Sequence, residues 1–355
     1  MTTQERVMAA LGHEEADRVP IWTLIDNADV LRHFAPSDFD DTPLIKGQPG
    51  THDVLLDVTS RAAKGLGLDV TFLCDTWMMD PFPRENTDIQ AYGATHSQFK
   101  SVTDLANFTP EIRPYEDIAD NYVQTFTHIA RAFAPEVMLV SQGGSCVEGA
   151  HNAIGLELFS MAIYDAPRDI GRIMDAYTEQ QRIKAQIYAD HKLAPAYQVS
   201  CDIAYKGSTL FSPDFLRREL VPRLAREIEP IKQAGMKVIL HCDGDVSSLL
   251  DDLIEVGIDG LNPLEPTAGM DMAAVKSRYG KNLVLIGNAD PNIVTFGSPE
   301  MINAEVKRCI RAAARGGGYF FDTGAGEIMP GLPVENVLTM CEAVRRFGQY
   351  PTLKN

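Results

Sequence analysis

Eight short β-branched or apolar runs recur along the 355-residue chain, separated by longer stretches of helical patterning. They are 19–24 (VPIWTL), 70–73 (VTFL), 137–140 (VMLV), 197–200 (YQVS), 236–240 (MKVIL), 258–262 (IDGLN), 282–287 (NLVLIG) and 318–321 (GYFF). Several are almost wholly apolar, as strands covered on both faces must be. Parallel strands need a crossover between neighbours, and a helix is the usual one, so the alternation predicts an α/β parallel sheet. Eight such units predict a single closed (β/α)8 TIM-like barrel with an N-terminal extension and insertions. An open doubly wound sheet is the alternative. The length suits one barrel domain over residues 1–355, with a core of about 19–348.

The connections carry recognisable helix ends. In FSPDFLRRELVPRLAREIEPIKQAG, Ser212 is a candidate N-cap, Pro213 suits the first turn and Gly235 suits the stop. Pro222 lies within this pattern and should kink or break it. The last helix should open at Pro333 and close at Gly348. The stretch before the second run exceeds one helix, and the connection 151–196 has room for two.

The formal net charge is −17, which disfavours nucleic acid and anionic membrane surfaces as partners. No apolar run reaches the roughly 18–20 residues that span a bilayer. The first twenty residues lack the basic start and apolar middle of a secretory signal. Six scattered cysteines without a CxxC pair fit reduced thiols, so a cytoplasmic location is expected.

Polar residues gather just beyond the runs: Asp26; Cys74 and Asp75; Ser141 and Gln142; Cys201 and Asp202; His241, Cys242 and Asp243; Asn262 and Glu265; Asn288 and Asp290; Asp322. A barrel builds its active site at the C-terminal ends of its strands. Asp75, Gln142, Asn288 and Asp322 are therefore substrate-binding candidates, although loop polarity alone explains part of the pattern. The densest group is VILHCDGD, where strand alternation turns His241 and Asp243 to one side and Cys242 to the other. With Glu265 at the next strand end, an imidazole and two carboxylates converge, a donor set that Zn²⁺ accepts. The alternative is a metal-free His–Asp pair that orients a loop.

Asp202, Tyr205 and Lys206 in CDIAYKG bring a carboxylate, a phenol and an ammonium to the fourth strand end. They suit substrate binding or proton exchange, the alternative for Asp202 being a loop cap. His151 is a weaker candidate, and Trp22, Trp77, Met78 and Met79 would line either a pocket mouth or the core. Glycine-rich GGSCVEG and GGGYFFDTGAGEIMPG suggest close backbone approach to a ligand or tight turns. Neither fits a phosphate loop or a dinucleotide fingerprint, and DTG lacks the second copy of an aspartic protease.

Taken in order, ERVMAALGHEEADRVPIW, LGLDV, SCDIAYKGSTLFSPDFLRRELVPRLAREIEPIKQAGMKVILHCDGD, GIDGLNPLEPTAGMD, IGNADP and the closing GGGYFFDTGAG and PGLPVENVLTMCEAVRRFG resemble the uroporphyrinogen decarboxylase superfamily over almost the whole chain. The resemblance implies a single (β/α)8 barrel. Where the decarboxylases carry an arginine motif of RQAGRY type after the first strand, this chain reads TLIDNADVLRHF, without the paired arginines. It is closer to the corrinoid-linked methyltransferase and demethylase branch. The coenzyme M enzymes of that branch take Zn²⁺ on HxC and a later GCG; here the matching positions are His241 and Asp243 in HCD, and Ala325 in GAG.

By this resemblance His241, Asp243 and Glu265 hold the metal, and Glu327 could fill the corner vacated at Ala325. Oxygen ligands in place of thiolates leave Zn²⁺ more Lewis acidic, which suits polarising an ether oxygen. The function implied is a demethylase-type methyltransferase, with Asp202, Tyr205 and His241 as the catalytic group. Its methyl donor would be a small methoxylated or methylated substrate. The chain has no DxHxxG motif, so the corrinoid would come from a partner protein, and a homodimer is the assembly allowed for. The competing functions are a metal-free decarboxylase and a non-catalytic ligand-binding barrel.

Overall fold

A computed structural model describes residues 1–35, 52–74 and 99–350. Its strands are β1 (Leu24–Ile25), β2 (Val70–Cys74), β3 (Met138–Gly144), β4 (Ala196–Ser200), β5 (Ala204–Tyr205), β6 (Ser208–Thr209), β7 (Lys237–His241), β8 (Gly260–Asn262), β9 (Val284–Ala289), β10 (Tyr319–Thr323) and β11 (Glu327–Ile328). Seven of them form one parallel sheet in the order β2-β3-β4-β7-β8-β9-β10. Residues 20–23 supply the eighth stave. Ile21 bridges Phe321 and Trp22 bridges Val70, both in parallel. The amides of Trp22 and Thr23 donate to the Phe321 and Val70 carbonyls at 3.0 and 3.1 Å. This closes the barrel, and the open-sheet alternative falls.

The first strand then leaves the barrel, and β1 pairs with β11 beyond the eighth stave. β5 and β6 form a small antiparallel hairpin after β4.

Alternation along the staves sorts the core into two layers. Trp22, Val70, Phe72, Val140, Ala196, Ile239, Val284, Ile286 and Phe320 fill the interior. Leu139, Tyr197, Val199, Val238, Leu240, Leu285 and Phe321 face the surrounding helices. Each large apolar side chain so buried contributes roughly 1.5–3 kcal/mol. The N-terminal helix Thr3–Leu11 adds Val7, Ala10 and Leu11 to the interior cluster. Arg6 of that helix and Arg18 both bind the fully buried Asp69, which also accepts the Ile21 amide at 2.9 Å.

The helix punctuation matches the sequence reading. Ser212 accepts the Phe215 amide, and Pro213 opens helix Pro213–Glu219. The pattern breaks at Leu220, and Pro222 sits in the first turn of helix Val221–Gln233. The connection 151–196 holds the two helices expected, Leu156–Asp165 and Pro167–Asp190, and a further helix, Cys146–Ile154, precedes them after β3. No helix among the described residues is long and apolar enough to cross a membrane. The cysteines at 146, 201, 242, 309 and 341 are buried free thiols.

Candidate metal centre

His241 is the last residue of β7 and lies on the interior parity set by Ile239. β4 runs beside β7 with Ser200 opposite His241, so Asp202 and Asp243, two residues further along each chain, also become neighbours. One ligand atom from each of Asp202, His241 and Asp243 falls within 4.8 Å of the others. His241 Nε2 stands 3.8 Å from Asp202 Oδ1, which also accepts the Asp243 amide at 2.8 Å. Cys242 points away as expected; it is buried and its Sγ donates to the Asp243 carbonyl.

The other side of the imidazole is held by the protein. Nδ1 lies 2.6 Å from Asn262 Oδ1, and Asn262 Nδ2 donates to Asp322 Oδ2 at 3.0 Å. Asp322 Oδ1 accepts the Thr323 amide at 2.7 Å. Behind Asp202 sits Glu148, which accepts from the Ser200 hydroxyl and from the Asp202 amide, each at 3.1 Å.

Crowded carboxylates shape the electrostatics. Burial, with the Asp202 charge adding to it, pushes the Glu148 carboxyl up to about 7. Burial likewise raises Asp243 to about 7; His241 opposes this, while Asp202, Glu265 and Glu327 reinforce it. Burial raises Asp322 to about 8 against the bonds from Thr23, Thr323 and Asn262. Burial pulls the His241 imidazole down, but Asp202, Asp243 and the Asn262 bond outweigh it and lift the ring to about 9. Beyond burial, nearby carboxylates contribute to the shifts of Glu148, Asp243 and His241, and a divalent cation would supply the opposing positive charge. One imidazole nitrogen and two carboxylate oxygens also form the three-ligand set of a catalytic zinc site with an open position. The residues fit the metal.

The structure distributes the expected site residues unevenly. His241 and Asp243 meet as anticipated, but their partner is Asp202, expected as a catalytic residue rather than a ligand. Glu265 turns to the adjoining loop, where it accepts the Gly244 amide at 2.9 Å and the Thr267 hydroxyl. Glu327 lies on β11, close enough for its charge to act on Asp243. Both glutamates stand outside the three-residue group. Tyr205 occupies the β5–β6 hairpin with its side chain exposed, and its carbonyl accepts the Asp245 amide.

Several substrate-binding candidates take structural places. Trp22 is wholly buried in the barrel interior, donating to Gln198 and edge-on to Phe320, so it belongs to the core. Asn288 is buried, donates to the Leu264 carbonyl and receives Arg308, which turns it to the barrel wall. His151 packs between Phe159 and Phe211 with Nε2 3.3 Å from the Asp202 carbonyl, supporting that loop. Gln142 is buried at the end of β3, and its carbonyl receives Lys184. Asp322 is buried behind Asn262. Asp75, Trp77, Met78 and Met79 lie outside the described residues.

Glu148 and the role of Asn262 were missed. Glu148 sits in the first turn of helix Cys146–Ile154, within the glycine-rich GGSCVEG stretch. An acid so placed beside small residues was the available signal. The glycines there make room for aromatic rings: a Cβ at Gly143 would meet the Tyr197 hydroxyl at 2.2 Å, and one at Gly149 the Tyr177 ring at 2.2 Å. Gly326 has φ +72°, and a Cβ there would lie 2.8 Å from His241 Cε1 and 2.9 Å from Asn262 Oδ1. The GAG turn therefore works by packing its backbone against the imidazole.

Comparison with known proteins agrees with this architecture. The family description "Uroporphyrinogen decarboxylase (URO-D)" matches residues 89–347. The uroporphyrinogen decarboxylase of Geobacter metallireducens is 24% identical over 97% of this chain and 99% of its own length. That of Cellvibrio japonicus is 29% identical over 98% of each. Among solved structures, a methyltransferase from Methanosarcina mazei superposes with a TM-score of 0.70 at 23% identity. The superposition covers 98% of this chain and 99% of that one, a likeness of fold. The chain belongs to the uroporphyrinogen decarboxylase family.

Proposed function

We propose that this chain is a metal-dependent methyltransferase of the demethylase type. It would move a methyl group from a small methoxylated or methylated substrate to the corrinoid of a partner protein. The observation that carries the reading is the set Asp202, His241 and Asp243, with ligand atoms within 4.8 Å and the rear nitrogen of the imidazole already engaged by Asn262. A bound divalent cation, Zn²⁺ in this reading, supplies Lewis acidity toward an ether oxygen. Asp202 and Asp243 set the charge of the site, and Glu148 fixes the Asp202 backbone. Tyr205, exposed on its hairpin, would orient substrate.

A metal-free decarboxylase is the second reading. It draws on the name of the curated relatives and on the His241 imidazole, whose pKa of about 9 keeps a transferable proton beside Asp202. Metal analysis of the purified protein separates the two, since the first requires stoichiometric cation and the second requires none. Methyl transfer from methoxylated aromatics to cob(I)alamin should be abolished by His241→Ala. Equal rates in both proteins would falsify the methyltransferase assignment.

A further inference from the structure

Asn262 and His241 occupy paired positions on adjacent staves, β8 and β7. Asn262 and Asp322 are each 1% exposed, so bulk water does not compete for their hydrogen bonds. An asparagine amide has one accepting and one donating end, and the direction in which it lies dictates what its neighbours must be. Here the donating end gives to Asp322 Oδ2 at 3.0 Å, and the accepting end faces His241 Nδ1 at 2.6 Å. An oxygen facing Nδ1 keeps a hydrogen there, so Nε2 is the nitrogen that gives up its proton to take a cation on the side of Asp202 and Asp243.

We propose that Asp322 and Asn262 are positioning residues for the cation site. Asp322 orients the Asn262 amide, and the amide fixes His241 in the tautomer whose Nε2 faces the two carboxylates. Neither residue touches the cation. The proposal rests on the metal-binding reading of Asp202, His241 and Asp243. Asp322 can hold this direction because its other oxygen is committed to the Thr323 amide. Gly326 closes the relay from the side, since a Cβ there would crowd both the ring and the amide oxygen.

The relay makes a prediction that mere packing does not. Asp322→Asn keeps shape and volume but offers Asn262 an NH₂ group as well as an oxygen, so the amide at 262 is free to reverse. The double variant Asn262→Asp/Asp322→Asn restores the direction with its chemistry exchanged: a carboxylate accepts from Nδ1, and the amide at 322 donates to that carboxylate. The test is a Co²⁺ titration of the full chain stripped of metal, followed by visible absorption, with thermal melts to establish folding.

Wild type should bind Co²⁺. Asp322→Asn should bind it about 10–100-fold more weakly with an altered band, and the double variant should return to within about threefold of wild type. An Asp322→Asn protein with wild-type affinity and spectrum overturns the relay, as does a double variant no better than Asp322→Asn. Should Asp322→Asn not fold, Asn262→Leu carries the same expectation by removing the acceptor at Nδ1, and unchanged affinity there is equally fatal. Wild type that binds no Co²⁺ overturns the metal reading itself, and the relay with it. Wild type that binds while the variants are unaffected overturns the relay alone.

Discussion

Asp202 Oδ1 accepts the Asp243 amide at 2.8 Å while standing 3.8 Å from His241 Nε2. One carboxylate thus joins the end of β4 to the loop after β7 and presents its charge to the imidazole. Asp202→Asn keeps an oxygen for the amide and removes the charge. In the metal-free variant, histidine NMR should show His241 titrating below its value of about 9. Divalent-cation affinity should fall at least about tenfold. Unchanged affinity would place Asp202 outside the cation's reach.

The same charges set a pH dependence of stability. Glu148, Asp243 and Asp322 are raised to about 7, 7 and 8, so the folded chain holds protons that the unfolded chain has released, and stability falls as pH rises through these values. His241, raised to about 9, acts with the same sign: its contribution is complete below about 6.5 and is lost through 9. Metal-free protein should therefore melt at progressively lower temperature from pH 5 to pH 9. Saturating Zn²⁺ should flatten the upper part of this curve, and a metal-free Tm that rises with pH contradicts the charge arrangement.

Gly326 has φ +72° and lies against His241, so Gly326→Ala combines backbone strain with displacement of the ring. A destabilisation of about 1–3 kcal/mol is expected, together with weaker cation binding. Gly331 is the control: it has φ +85° with nothing within 4 Å of a Cβ, and Gly331→Ala should show the strain while binding is preserved. Denaturation and Co²⁺ titration of both variants measure the two effects separately.

Asp69 tests the opposite end of the barrel. Asp69→Ala leaves Arg6, Arg18 and the Ile21 amide without their shared buried acceptor. A loss of about 3–5 kcal/mol is expected, read by chemical denaturation. Cation binding well below the melting temperature should be unaltered, because the site is built at the other ends of the staves.

Trp22 distinguishes core from ligand pocket. Trp22→Phe removes the hydrogen bond to Gln198 and part of the interior packing, at about 1–3 kcal/mol. Substrate KM should be unchanged. A raised KM with unaltered stability would return Trp22 to the pocket.

The contrast between Trp22 and His241 shows how far a one-dimensional reading extends. Both stand on apolar runs and both follow the alternation of a strand. Period and punctuation located the staves, the Ser212 cap and the interruption near Pro222, because these depend on neighbours within a few residues. They also placed His241 and Asp243 on one side and Cys242 on the other. Depth along the stave was not legible. Trp22 lies in the interior layer and His241 at the rim, and only the register between staves fixes that difference.

The candidate site divides along the same line. The sequence by itself determined the eight-stave barrel, the rim on which polar residues collect, and the His241–Asp243 pair, all consequences of local period and strand polarity. The tertiary structure decided that Asp202 completes the group in preference to Glu265, that Glu148 stands behind it, and that Asn262, itself bonded to Asp322, holds the imidazole from the rear. Those choices depend on lateral register and side-chain reach between segments 20 to 60 residues apart. Distances across a closed barrel are set by its closure, which no local stretch of chain encodes.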